Sequence, residues 1–149
     1  MSQAIQFDPI RLPSEAEELR LEVRDFLAEE IANGGFDPHR TIMKSGFDRE
    51  FSKRVGARGW IGMTWPKKYG GRDKSFLERY VVTEELLAAG APVGCHWIAD
   101  RQTGPLLLKF GTEEQRKEFL PKIASGNCYF SIGMSEPNTG SDLASIKSM

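Results

Sequence analysis

Residues 129–142 hold the side chains whose types and spacing best suit chemistry. Tyr129, Ser131, Gly133 and Ser135 alternate with Phe130, Ile132 and Met134, which is the period-two pattern of a strand. One face is apolar enough to pack on a core. The other is small and hydroxyl-bearing, so a flat group can lie close to the backbone. Turn chemistry follows: Pro137 drives Glu136 extended, Gly140 permits a positive φ, and Ser141 and Asp142 offer side-chain hydrogen bonds to the nearby main chain. A strand with a small polar face running into a Gly-Ser loop suits a ligand with a planar ring and a phosphate. The ring lies on the strand, and backbone N–H groups and a hydroxyl meet the anion. The same letters also describe a half-buried strand and a surface turn, and local pattern alone leaves both open.

The elements that must position this stretch read as helices. Ser14 and Glu17, Ser75 and Glu78, and Thr112 and Gln115 each have the spacing of a capping box. The first helix carries Ala16, Leu19, Val23, Phe26, Leu27 and Ile31 on one face and stops at Gly34 and Gly35. A loop runs from about 36 to 45, and a second helix over about 48–58 turns Phe51 and Val55 inward. Trp60 and Trp65 are expected to fill core between helices. The helix opened by Ser75 shows Leu77, Tyr80, Val81, Glu84, Leu87 and Ala88 at helical spacing. Beyond Gly90, residues 95–102 mix Trp97 with His96, Asp100 and Arg101, a polar set that packing alone does not call for. Gly104 and Pro105 are expected to break or kink that helix, and Leu106, Leu107, Leu108 and Phe110 to continue it in the core. The last helix turns Phe119, Leu120 and Ile123 inward and ends at Gly126.

Composition narrows the classes. The chain has 149 residues, 28% of them charged, with a formal net charge of −1. No global field draws it to nucleic acid or to an anionic membrane. No apolar run reaches bilayer length, and residues 1–6 lack the basic and apolar regions of a secretory signal. Cys95 and Cys128 have neither CxxC nor metal-ligand spacing, and His39 has no neighbouring ligand set, so the reading is a reduced, cytoplasmic chain with free thiols and no metal site. A single strand at 128–135 leaves both edges unpaired, which leads us to expect further strands after Met149.

The stretch Met134-Ser135-Glu136-Pro137-Asn138-Thr139-Gly140-Ser141-Asp142 resembles the flavin-binding signature of acyl-CoA dehydrogenases, T/S-E-P-x-x-G-S-D. Gly104-Pro105, residues 110–115 and residues 120–126 resemble that family in the same order, as does the loop Pro66-Lys67-Lys68-Tyr69-Gly70-Gly71. The likeness runs from about Pro13 to the end of the chain. It implies a mainly α fold: an N-terminal helical domain over 1–126, followed at 127–149 by the first strand of a β-barrel-like middle domain.

The resemblance also implies chemistry. Members remove the α-proton of an acyl-CoA thioester with a carboxylate and pass the β-hydride to flavin N5. It places Ile132, Met134 and Ser135 beside the FAD ring, with the Ser135 hydroxyl standing where many members have threonine. Gly140 and Ser141 fall near the pyrophosphate and the CoA moiety. Trp97 and Arg101 line the acyl pocket, with Arg101 or His96 available to a polar group, so branched, cyclic or ω-carboxylated substrates are favoured over a plain long chain. Arg101 paired with Asp100 or turned outward is the competing reading. The catalytic glutamate and the second flavin strand are expected beyond Met149, Glu136 is read as structural, and residues 1–149 alone are expected to be inactive. Implied partners are acyl-CoA, an electron-transfer flavoprotein or similar acceptor, and further subunits of a homo- or hetero-oligomer. A non-catalytic helical subunit and an acyl-CoA oxidase fit the same residues; bound flavin separates the first of these from the dehydrogenase.

Overall fold

Where three apolar positions per two turns repeat, the chain coils. In the computed structural model, which describes residues 11–39 and 46–148, the helices are α1 (Ser14–Ala32), α2 (Arg49–Ala57), α3 (Phe76–Ala88), α4 (Gly94–Ile98), α5 (Gly104–Phe110) and α6 (Glu113–Ala124). A π-helical turn, Ala99–Thr103, joins α4 to α5, and single 3-10 turns lie at Lys67–Tyr69 and Leu143–Ser145. Val23, Phe26 and Leu27 of α1, Phe51 and Val55 of α2, Val82 and Leu86 of α3, and Leu120 and Ile123 of α6 enclose Trp60 and Trp65. Phe26 meets Trp60 edge-on at 5.1 Å, a favoured aromatic geometry. No helix among the described residues is long and apolar enough to cross a membrane.

Side-chain caps explain where three of the six helices start. Asp48 accepts the Phe51 N–H at 2.8 Å, and the boxes at Ser75/Glu78 and Thr112/Gln115 are both formed. The box expected at Ser14 and Glu17 is not. Pro13 occupies the cap position, which puts Ser14 inside the first turn, and Glu17 instead accepts from Arg20 at 3.0 Å.

The face of α3 also differs from its apolar spacing. Its buried residues are Glu78, Val81, Val82, Glu85 and Leu86, whereas Leu77, Tyr80 and Leu87 are exposed. Charge neutralisation from other elements is the reason. Glu85 accepts from Arg20 at 2.5 Å and from Arg24 at 2.8 and 3.0 Å, tying α3 to α1, and Glu78 accepts from Lys74 at 2.6 Å. With these partners a carboxylate can occupy a buried position. Ile31 of α1 is likewise exposed.

Gly104 and Pro105 do not break the helix. The chain widens by one residue over Ala99–Thr103 and then continues as α5, because a π-turn removes the hydrogen bond that proline cannot make. Leu106 and Phe110 of α5 are 59% and 70% exposed, so this helix is not the buried one its composition suggests.

The stretch 127–135 forms no ladder, since none of the described residues pairs with it. A strand is a property of two segments, and one segment alone fulfils only half of it. Phe130 packs on Phe119 with ring centroids 6.0 Å apart. Ile132 and Met134 are 45% and 54% exposed, so the apolar face touches the core only at its beginning.

Candidate functional site

Two places hold the sequence-derived residues, and no hydrogen bond between described residues links them. The first is the segment 128–135 and the loop that follows it. From Cys128 to Ser135 no main-chain N–H or C=O is hydrogen-bonded to another described residue. Ser131, Gly133 and Ser135 are exposed, and a Cβ added at Gly133 or Gly140 would meet nothing within 4 Å. This is a row of unused donors and acceptors beside small side chains, which fits the edge of a flat heteroaromatic ring with hydrogen-bonding atoms on its rim.

The loop that follows is self-contained. Glu136 and Thr139 exchange main-chain bonds of 2.8 and 3.0 Å across Pro137 and Asn138. The Glu136 carboxylate accepts from the Lys147 and Ser148 N–H groups, the latter at 2.7 Å. The Ser148 and Lys147 contacts hold its carboxyl below the usual carboxylate range, so it is a clamp on the loop and a poor base. Gly140 does not adopt a positive φ; it contributes open space rather than a left-handed turn. The expected side-chain bonds from Ser141 and Asp142 are also replaced, since the Asp142 main-chain carbonyl accepts from the Ser145 N–H and hydroxyl. The Ser141 hydroxyl is exposed, with no hydrogen bond to a described residue.

The second place is built by the π-turn. Asp100 accepts the Gly62 N–H at 2.8 Å, and its other oxygen lies 3.4 Å from Arg101 Nε and 3.8 Å from Arg79 Nη2. The Arg101 guanidinium stacks over the Trp97 ring at 4.7 Å and donates to the Thr83 hydroxyl. Arg101 therefore pairs with Asp100 and is half-buried. Burial pushes the Asp100 carboxyl up against the opposing pull of the Gly62 N–H and both guanidinium groups. Burial and the proximity of Arg79 push Arg101 down, with Asp100 partly offsetting them. His96 lies behind, its Nδ1 2.8 Å from the Ser52 hydroxyl, and burial, with help from Arg101, lowers its pKa to about 4. His96 is neutral at physiological pH.

His96, Trp97, Asp100 and Arg101 line an inner cavity of about 20 Å³, room for one water and no acyl chain. Arg79 and Arg101 also line a larger cleft outside it, about 530 Å³, between α3 and α5. The apolar spacing of α3 does not point to Arg79 and Thr83, because its buried face, Glu78, Val81, Val82, Glu85 and Leu86, is one residue out of phase with that spacing. Arg79 and Thr83 stand four residues apart on one face of α3, a spacing that carries no signal of a site on its own.

The chain resembles known proteins over most of its length. A sequence model described as the acyl-CoA dehydrogenase N-terminal domain matches residues 13–127. Acyl-CoA dehydrogenase FadE26 of Mycobacterium tuberculosis is 36% identical over 88% of this chain, and mitochondrial isovaleryl-CoA dehydrogenase of Pongo abelii is 36% identical over 91%. The chain spans about a third of these relatives, 33% and 32% of their lengths. Among solved structures, the Tcur3481-Tcur3483 steroid ACAD superposes with a TM-score of 0.77 at 39% identity, covering 91% of this chain and 35% of that one. The ChsE4-ChsE5 complex from Mycobacterium tuberculosis gives 0.75 at 37% identity, covering 93% and 35%. By its helical fold, by the signature loop that follows α6 and by these matches, the chain belongs to the acyl-CoA dehydrogenase family.

Proposed function

We propose that this chain supplies the N-terminal helical part and one wall of the flavin and acyl-CoA site of an FAD-dependent acyl-CoA dehydrogenase. The observation that carries the reading is the unpaired, small-faced segment 131–135 leading into the exposed Gly140-Ser141 loop. Ile132 and Met134 would flank the ring, the Ser135 hydroxyl and free main-chain groups would bond its polar rim, and Ser141 would donate to a phosphate oxygen. FAD, when bound, accepts the hydride from the acyl β-carbon. The residues of this chain bind, orient and exclude water; Glu136 takes no part in proton removal, because its carboxylate is committed to the loop. Trp97 and Arg101 would shape the acyl end of the site. The two superposing structures carry paired names, and that of the first specifies a steroid substrate class; these support a hetero-oligomeric assembly and a bulky, ring-bearing or branched acyl group for this chain. Electron-transfer flavoprotein or a similar carrier would reoxidise the flavin.

The test is to isolate the protein from its own cells with whatever chains accompany it. Bound flavin and acyl-CoA-dependent reduction of an artificial electron acceptor are then measured. A colourless preparation without turnover overturns the reading. Replacing Ser141 by alanine removes a charge-assisted hydrogen bond of about 1.5–3 kcal/mol. Ser141→Ala should therefore lower flavin content or raise the acyl-CoA KM while leaving the circular dichroism spectrum unchanged. Unaltered flavin content and kinetics refute the assignment of Ser141.

A further inference from the structure

We propose that the cleft between α3 and α5, floored by Arg79 and Arg101, is a receptor for a carboxylate carried on an apolar stem. Three cations line it, Arg79, Arg101 and Lys109, and no acidic side chain does. Asp100, behind the two arginines, is the carboxylate they share, and one of its oxygens is already bonded to the Gly62 N–H. Arg79 is the under-used member. Its side chain is 17% exposed, its approach to Asp100 is 3.8 Å, and its buried Nε has no hydrogen-bond partner among the described residues. A guanidinium offers five N–H donors in a flat fork that matches a carboxylate, and a buried donor left unbonded is costly. Burial and the neighbouring Arg79 already disfavour the charge on Arg101; an anion between the two would relieve that repulsion.

The walls select the rest of the ligand. Trp65, Phe76, Pro105 and Leu108 line the same cleft, and Phe76 stands 75% exposed at its rim. A hydrated dianion gains little from such walls, whereas an aliphatic or alicyclic stem loses water against them. The bearing on substrate rests on the acyl-CoA reading above: there the carboxylate would sit at the far end of the acyl group. Binding of a free carboxylate by this chain does not depend on that reading.

The experiment titrates octanoate, octanol and inorganic phosphate into the chain at neutral pH by calorimetry, with tryptophan fluorescence recorded in parallel. Octanoate is expected to bind saturably, at least about ten-fold tighter than octanol and phosphate, and Arg79→Gln to weaken it by about ten-fold or more. Lys109→Gln, at an exposed position that leaves the fold untouched, should weaken octanoate a few-fold and leave octanol unchanged. Equal affinity for octanoate and octanol reduces the cleft to a greasy patch and overturns the proposal. So do tighter binding of phosphate, the absence of any binding, and Lys109→Gln and Arg79→Gln variants that bind as the parent does. Octanoate binding in a protein without flavin or acyl-CoA turnover keeps the receptor and removes only the dehydrogenase reading.

Discussion

Acidification should weaken this fold through one buried imidazole. His96 is 5% exposed, and its pKa of about 4 in the folded chain lies below its ordinary value of 6.5. The unfolded chain therefore takes up a proton as pH falls through 6.5, while the folded chain does so only near 4. The stability His96 retains by staying neutral is complete above the unfolded value and is lost progressively between those two pH values. At about pH 5 the difference amounts to about 2 kcal/mol relative to neutrality. Asp100 acts in the opposite sense: burial raises its carboxyl, so the native state takes up that proton first as pH falls and gains stability toward acid. A His96→Gln variant separates the two, because it keeps Asp100 and a polar partner for Ser52 but cannot titrate. Urea unfolding of both chains, followed by tryptophan fluorescence from neutral pH down to about 5, should give a stability difference that narrows by about 2 kcal/mol in favour of the variant. Parallel curves would show that His96 titrates alike in both states and would refute the burial argument.

Two further outcomes follow from packing and capping. A Cβ at Gly104 would lie 2.0 Å from Trp65 Cζ2, and Trp65 is 3% exposed with no room to retreat; Gly104→Ala should cost about 1–3 kcal/mol despite better helix propensity, read as a lower urea midpoint and a changed near-ultraviolet dichroism. Ser75→Ala should cost about 1 kcal/mol through loss of a formed capping box. Ser14→Ala, at a position where the expected box is absent, should stay within about 0.5 kcal/mol, and equal losses at the two serines would contradict the assigned caps.

Elements set by neighbouring residues were legible in the sequence. Asp48 and Thr112 begin their helices through bonds three residues ahead, and Phe51, Val55, Leu120 and Ile123 face inward as their spacing requires. Elements set by distant partners were not. Nothing near Glu85 in sequence announces Arg20 and Arg24, which lie more than sixty residues away along the chain and make its burial tolerable. The buried face of α3, and with it the place of Arg79, is therefore not given by the apolar spacing of that helix. The segment 128–135 has the alternation of a strand, but pairing is a fact about a second segment. For the site, the residue types around Ser135 and Ser141 were visible at once, whereas the convergence of Arg79, Asp100 and Gly62 required the folded chain.

The widened turn at Ala99–Thr103 has a consequence for how this scaffold can diverge. Each residue of an α-helix advances the direction of its side chains by about 100°. Deleting one residue from the turn would return it to ordinary helical winding and rotate everything upstream relative to α5 by that amount. Leu107 and Leu108 would then leave their present seats, or else Arg101 would leave the cleft. Lengthening or shortening this single turn thus exchanges the residues that face the cleft in one step. A lineage in need of a different pocket would find the coarse adjustment here and the fine adjustment in substitutions at 79, 101 and 109.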